Sequence, residues 1–105
     1  MRGDVHRVSL TGARGREQRG ERFAVVVQSD DLWVSTWLVA PTTTSDSAAP
    51  AVFRPEVELL GRPTRVLCEQ TRAVDPDRLG PAVTHLSVAE MADVDLGLRL
   101  VLDLP

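Results

Sequence analysis

The sequence predicts a mainly β fold, a small antiparallel barrel or half-barrel with an amphipathic helix at its C-terminal end. Short runs of β-branched residues alternate with turns rich in glycine and proline, and strands and helices do not alternate along the chain. With 105 residues and 43% hydrophobic residues, the chain is expected to fold as a single domain over residues 1–105.

The N-terminal part contains two predicted strands separated by a polar loop. Residues 4–10 alternate between apolar and polar side chains, which is typical of a strand with one buried face. Residues 11–21 hold three glycines and no apolar residue larger than alanine, so they are predicted to be a loop. The β-branched run 22–28 is too short for a helix and predicts a strand covered on both faces.

The middle of the chain predicts further strands. Residues 35–43 form one of them, and Pro41 is expected at an edge or a bulge because it cannot donate a hydrogen bond to a ladder. The other predictions are a surface loop at 42–50, strands at 52–59 and 64–68, a turn at 61–63, and an extension of the last strand through 70–74.

The C-terminal segment predicts a helix that begins after a capping box formed by Ser87 and Glu90. A break at Gly80-Pro81 precedes it. Apolar residues then recur at spacings of three and four, so one face of the helix is expected to pack on the sheet. This predicted stripe consists of Val88, Met91, Val94, Leu98, Val101 and Leu102.

Charge and cysteine content limit the possible functions. All 12 basic residues are arginine, and six of them lie in residues 1–22, where three acidic residues leave a local charge of +3 in a chain of net charge −3. Arginine suits phosphate because its planar fork donates two parallel hydrogen bonds. The lone Cys68 and two histidines exclude an intrachain disulfide and a structural zinc cage. No segment is apolar enough for a membrane span, so a cytoplasmic protein that forms a homodimer and needs no cofactor is expected.

Several strings, in order along the chain, resemble the MazF/PemK family of toxins from type II toxin–antitoxin pairs, which are small endoribonucleases. The resemblance covers nearly the whole chain, and agreement at successive positions is stronger evidence than any one string. The strings are residues 2–5 (RGDV), 15–22 (GREQRGER) with 24–30 (AVVVQSD), 39–45 (VAPTTTS), 70–75 (QTRAVD) and the segment from Leu86-Ser87 onward.

The resemblance implies an SH3-like barrel that forms a homodimer and cuts single-stranded RNA without metal, leaving 2′,3′-cyclic phosphate ends. By position, the family's catalytic arginine and threonine fall on Arg22 and Thr43. Its RNA-contacting loop falls on residues 15–21. Part of its RNA-binding groove falls on the strand that contains residues 70–75. The implied RNA-binding residues are Arg16, Glu17, Gln18, Arg19, Gln70 and Arg72. The implied partner is a cognate antitoxin whose flexible C-terminal tail occupies the RNA groove.

In such a cleavage reaction, Arg22 is expected to stabilise negative charge on the phosphoryl oxygens. Thr43 is expected to add a hydrogen bond from its hydroxyl to the same oxygens. Arginine is a poor general base because its pKa lies above about 12, so the base remains open among Glu17, Glu21 and His6. The chain also departs from the family at His6, Phe23, Trp33 and Trp37.

These four departures bear on RNA binding and packing. The family usually has an aromatic or large apolar residue in place of His6 and a proline in place of Phe23. Trp33 and Trp37 are expected in the barrel core or a dimer contact, with Trp33 also considered, beside Arg16 and Arg19, as a stacking surface for RNA bases.

Two other functions remain open from the sequence. One is a non-enzymatic toxin similar in fold to CcdB, which would bind and poison a protein target such as gyrase and would need no Arg22–Thr43 pair. The other is a catalytically silent barrel that serves as a binding module. Retention of both Arg22 and Thr43 favours the endoribonuclease.

Overall fold

A computed structural model describes residues 1–10 and 20–105. This part of the chain forms seven β-strands, two short 3₁₀ helices and one α-helix. The strands are β1 (Asp4–Leu10), β2 (Gly20–Val26), β3 (Trp37–Thr44), β4 (Glu56–Leu59), β5 (Arg62–Val66), β6 (Arg72–Val74) and β7 (Leu79–His85). The 3₁₀ helices are Cys68–Gln70 and Pro76–Arg78, and the α-helix is α1 (Val88–Leu102).

The strands form one curled antiparallel sheet in the order β4-β5-β3-β2-β1-β7. Strand β3 pairs with β2 along one side, and along its other side it pairs first with β6 and then with β5. The sheet therefore bends around β3 into a half-barrel, as the sequence predicts, with the β4–β5 hairpin beyond it.

Pro41 does not lie at an edge or a bulge, contrary to the prediction. It is buried inside β3 opposite Ala24, at the point where the partner strand changes from β6 to β5. Its carbonyl oxygen accepts a hydrogen bond from the backbone N–H of Leu67. The change of partner removes the need for a ladder N–H at this position, so the sheet tolerates the proline.

Other boundaries also differ from the predictions. β1 has the predicted bounds, but β3 continues to Thr44 into the predicted loop, and β4 begins only at Glu56. Residues 68–70 form a 3₁₀ helix before β6, so that strand does not extend β5 directly. The predicted break at Gly80-Pro81 lies inside β7, an edge strand, where a proline costs the sheet little.

Helix α1 begins with the predicted capping box. The Ser87 hydroxyl accepts a hydrogen bond from the backbone N–H of Glu90, whose carboxylate accepts from the backbone N–H groups of Ser87 and Glu58, each at 2.9 Å. Burial raises the pKa of Glu90, but these hydrogen bonds outweigh it and leave the pKa below its ordinary value. Glu90 thus joins α1 to β4.

In the described part of the chain, no helix is long and apolar enough to cross a membrane.

Only part of the predicted apolar stripe of α1 is buried. Val94 is fully buried and Gly97 is buried against Cys68 and Phe53, whereas Val88 is 90% exposed. A Cβ on Gly97 would lie 2.8 Å from the Cys68 sulfur, so the glycine lets the helix approach the 3₁₀ helix that follows β5 closely. The contact face is therefore narrower than hydrophobic periodicity indicates.

Hydrophobic side chains pack into two clusters. The larger one joins the sheet to α1 through Val5, Val25, Val66 and Val94, and Phe23 packs at its margin. The smaller one contains Val8, Ala24, Val26, Val39 and Val74, with Trp37 and Leu79 against it. Trp37 is thus at the edge of a core, as expected, whereas Trp33 is 96% exposed and lies outside the core, so a dimer contact is the part of its prediction that stands.

The β4–β5 hairpin turns through only two residues, Leu60 and Gly61, between the paired residues Leu59 and Arg62. Both central residues have positive φ angles, 51° for Leu60 and 81° for Gly61. This is the conformation of a type I′ turn, which joins two antiparallel strands through a two-residue loop.

Candidate active site

A pocket of about 390 Å³ lies where the ends of β2 and β3 meet the β4–β5 hairpin. Its described lining combines three arginines, four threonines, one serine and three large hydrophobic residues. These residues are Arg7, Arg22, Phe23, Thr42, Thr43, Thr44, Ser47, Leu59, Leu60, Arg62 and Thr64. The volume is within the range of small-ligand sites, so the pocket can accept part of a nucleotide.

The strand register brings the two predicted catalytic residues together. Ala24 of β2 lies opposite Pro41 of β3. Arg22 and Thr43 each lie two residues beyond this pair on the two adjacent strands, and the Thr42 hydroxyl bonds to the Phe23 carbonyl oxygen between them at 2.9 Å. Both residues border the pocket. Separate segments of the sequence thus converge at one site.

The hydroxyl groups of the pocket are not equivalent. Thr42 donates to the carbonyl oxygen of Phe23 at 2.9 Å, and Thr64 donates to that of Arg62 at 3.0 Å. The hydroxyls of Thr44 and Ser47 are 2.7 Å apart and bond to each other. Among the residues that the structure describes, none forms a hydrogen bond with the Thr43 hydroxyl. Thr43 can therefore offer its hydroxyl to a ligand without breaking an internal bond to this part of the chain.

The described lining of the pocket contains basic side chains and no acidic ones. The basic ones are Arg7, Arg22 and Arg62. The Arg7 guanidinium lies over the Phe23 ring at 5.2 Å from its centroid, a cation–π contact that fixes both side chains. Such a site favours an anion, and guanidinium groups are well suited to phosphate.

Sequence reasoning missed Arg7 and Arg62 as pocket residues. Arg7 lies directly across from Phe23 in the β1–β2 ladder, so its place depends on a register that the sequence alone does not supply. Arg62 was expected in a turn and instead begins β5. By contrast, Arg2, another of the N-terminal arginines, contacts Asp95 and the Val27 carbonyl oxygen and has a structural role.

The predicted RNA-binding residues on the late strand lie apart from this pocket. Arg72 pairs with Val39, which places it about 13 Å along β3 from Thr43. Gln70 lies in the preceding 3₁₀ helix, and neither residue lines the pocket. The other four residues predicted to bind RNA, Arg16, Glu17, Gln18 and Arg19, lie outside the described residues.

Of the candidate bases, His6 is directed away from the pocket. Its Nδ1 lies 2.9 Å from the Gly80 carbonyl oxygen, and its ring makes an edge contact with Trp37. In the β1–β2 ladder His6 lies opposite Ala24, two residues from Arg22, but it does not line the pocket. Glu17 and the side chain of Glu21 lie outside the described part of the chain.

The exposed Trp33 is also distant from this pocket. It lies between β2 and β3, at the end of this strand pair opposite to the end that carries Arg22 and Thr43. A base bound in the pocket of one chain would therefore not stack on the Trp33 of that chain.

Comparison with known proteins identifies the family. Residues 1–102 match the family described as PemK-like, MazF-like toxins of type II toxin–antitoxin systems. The chain belongs to this family.

The relatives of the toxin agree with that assignment. A Mycobacterium tuberculosis protein named as a candidate toxin is 44% identical over 97 residues, covering 90% of each chain. The endoribonuclease MazF of Staphylococcus epidermidis is 34% identical over 109 residues, covering 98% of this chain and 91% of its own. The expected family is thus confirmed, and the name of this second relative supports the expected enzyme class.

A solved structure agrees with the fold. A mycobacterial endoribonuclease in complex with its cognate antitoxin superimposes with a TM-score of 0.82, covering 100% of this chain and 96% of its own. The two chains are 18% identical, so the likeness concerns the fold alone. Together with the strand order, it confirms the predicted mainly antiparallel half-barrel with a C-terminal helix.

Cys68 of the toxin is unsuited to nucleophilic chemistry. Its thiol is buried in the larger core cluster and lies 3.8 Å from the Val94 carbonyl oxygen. Burial, reinforced by the charge of Glu69, raises the pKa of Cys68 to about 11. The thiol is therefore protonated at neutral pH and acts as a small apolar core residue, as the sequence predicts.

The pH dependence of folding is expected to reflect a pair of side chains near the start of α1. His85 Nδ1 lies 2.7 Å from the Asp4 carboxylate, and this hydrogen bond, opposed by burial, lowers the pKa of Asp4 from its ordinary 3.8. A carboxyl group with a lowered folded pKa stabilises the protein above pH 3.8, and this contribution is lost as the pH falls through the folded value. We therefore expect His85→Ala to destabilise the toxin at pH 6 and to have a smaller effect in acid.

Urea unfolding of the wild type and of His85→Ala across the acid range measures this dependence. The difference between their free energies of unfolding should shrink below pH 3.8, where Asp4 becomes protonated in the variant. In the Asp4→Asn background, His85→Ala should show no such change with pH. A difference that stays constant through the acid range would contradict the assignment.

Proposed function

We propose that the chain is a toxin that acts as a metal-independent, sequence-specific endoribonuclease in the cytoplasm, cleaving single-stranded RNA and so inhibiting translation and growth. The observation that carries this proposal is the presence of Arg22 and Thr43 in one pocket whose described lining contains basic side chains and no acidic ones. Family membership and the 34% identity to an endoribonuclease MazF give independent support.

The proposed reaction is an internal transesterification. The 2′-oxygen of the ribose attacks the adjacent phosphorus, a new O2′–P bond forms and the P–O5′ bond breaks. The products are a 2′,3′-cyclic phosphate and a 5′-hydroxyl, so the proton lost by the 2′-hydroxyl is balanced by one gained by the leaving oxygen. The protein must align the ribose and stabilise charge on the phosphoryl oxygens.

Arg22 and Thr43 supply that stabilisation in the proposed mechanism. The Arg22 guanidinium donates two hydrogen bonds to the phosphoryl oxygens, where its permanent positive charge offsets the developing negative charge. The Thr43 hydroxyl donates a third hydrogen bond from the adjacent strand. Glu17 and Glu21 remain the candidates for the base that accepts the 2′-hydroxyl proton.

The proposed regulator is a cognate antitoxin whose flexible C-terminal tail lies in the same RNA groove. An acidic tail would satisfy the arginines that RNA satisfies, and it would become ordered on binding. Two copies of the toxin are proposed to associate, since a chain of 105 residues without disulfide or metal support gains stability by burying more surface.

A cleavage assay tests the proposed function. Purified toxin is incubated with a long single-stranded RNA in EDTA, and the cleavage products are mapped by their ends. We expect cuts at a recurring short sequence, with 5′-hydroxyl and 2′,3′-cyclic phosphate termini. If a folded sample makes no cuts over a broad set of RNA sequences, the endoribonuclease proposal is wrong and binding to a protein target such as gyrase becomes the function to test.

A further inference from the structure

Leu60 occupies an unusual position on the rim of the pocket. It lines the pocket, its side chain is 59% exposed, and its φ angle is 51°. The left-handed region brings the Cβ atom of a leucine close to the following carbonyl oxygen, and glycine, asparagine or aspartate is the usual choice at this position of a type I′ turn. Folding alone therefore does not favour an exposed leucine at this site.

The surroundings of Leu60 offer a reason for its presence. On the core side, the pocket wall continues through the half-buried Phe23 and the buried Leu59. Two residues beyond Leu60, Arg62 is exposed on the same rim. No ion pair joins Arg62 to any of the described residues. An apolar surface thus lies next to a guanidinium group that internal carboxylates of the described chain do not neutralise.

We propose that the β4–β5 turn is an RNA subsite: Leu60, with Phe23 behind it, contacts the base of a nucleotide beside the scissile bond, and Arg62 binds the phosphate of that nucleotide. This inference rests on the proposed function and adds to it the residues that hold the flanking nucleotide. Single-stranded RNA exposes both an apolar base face and a charged backbone, which match these two neighbouring groups.

The positively charged lining favours RNA over a purely apolar occupant. Arg62 is exposed and forms no ion pair with the described residues, so a bound phosphodiester backbone would complement its charge. The Arg7 guanidinium lies over the Phe23 ring, 5.2 Å from its centroid, and holds the ring at the pocket wall. The subsite would consequently affect which nucleotide this toxin prefers beside the cut.

Leu60→Asn separates a binding role from a structural one. Asparagine tolerates the left-handed conformation, so the variant should melt at the same temperature as the wild type or higher. It loses the apolar contact, so we expect KM for a short cleavable RNA to rise about three- to tenfold, with kcat changed less, as for partial loss of one base contact. Leu60→Gly should behave similarly. Because glycine has no side chain, this agreement would show that the effect does not come from new hydrogen bonds made by the asparagine amide.

Leu32→Asn is the matched control for the leucine, because Leu32 is 55% exposed and does not line this pocket. For the phosphate contact, Arg62→Ala is compared with Arg78→Ala, whose arginine is also exposed and lies outside the pocket. The binding constant for single-stranded RNA is measured at several salt concentrations. Only Arg62→Ala should make the plot of its logarithm against the logarithm of the salt concentration less steep, by about 0.7 in slope for one lost phosphate contact.

The outcomes distinguish this inference from the proposed function. Failure of the wild type to cleave RNA would reject the function. A wild type that cleaves, together with Leu60 and Arg62 variants that match their controls in KM and salt dependence, would overturn the subsite alone. Loss of antitoxin affinity without a change in RNA binding would also overturn it, since the turn would then be a protein contact.

Discussion

Replacing Arg22 with alanine is expected to lower the rate of RNA cleavage by a factor of about 10²–10³, which is the usual effect of removing one preorganised donor to a developing oxyanion. The arginine is exposed at the pocket and belongs to neither core cluster, so the loss should affect the reaction more than the fold. Single-turnover cleavage of a defined RNA by the wild type and the variant measures the effect on the chemical step.

Two further variants sharpen this test. Arg22→Lys keeps a positive charge but loses the planar fork, so it should recover only part of the activity. Arg78→Ala removes an exposed arginine outside the pocket and should cleave as the wild type does. Equal loss of activity in Arg22→Ala and Arg78→Ala would show that net charge is important and that Arg22 has no specific role.

The sequence predicts the parts of this fold that local chemistry determines. The alternation in residues 4–10 gives β1 its observed bounds, and the capping box of Ser87 and Glu90 gives the start of α1. Both depend on neighbours within a few positions along the chain. Even so, hydrophobic periodicity overestimates the buried face of α1, because Val88 of the predicted stripe is exposed while Gly97, outside that stripe, is buried against Cys68 and Phe53.

The parts that could not be predicted depend on long-range pairing. The sheet tolerates Pro41 inside β3 because the strand paired with β3 changes there from β6 to β5. It tolerates Pro81 because β7 is an edge strand. Likewise, Arg7 and Arg62 join the candidate site through strand register and hairpin geometry. The resemblance to a family supplied Arg22 and Thr43, whereas their common pocket becomes visible only in three dimensions.

Adjacent threonines on β3 are expected to have opposite roles. Thr43→Val should lower kcat by about 10- to 100-fold, the effect of losing one hydrogen bond to a charged group, and should leave the melting temperature nearly unchanged. The stability expectation follows because no described residue hydrogen-bonds the Thr43 hydroxyl. Valine retains the branched shape that a strand favours.

Thr42→Val provides the matched comparison one residue away. Thr42 is only 2% exposed and donates to the Phe23 carbonyl oxygen, so its removal should destabilise the toxin by about 1–3 kcal/mol. Thermal melts and single-turnover cleavage of both variants therefore give opposite patterns if the Thr43 hydroxyl contacts the reacting phosphate. A Thr43→Val toxin that cleaves RNA at the wild-type rate would rule out that contact and leave Arg22 as the principal stabilising group, because the other pocket hydroxyls are already engaged in internal hydrogen bonds.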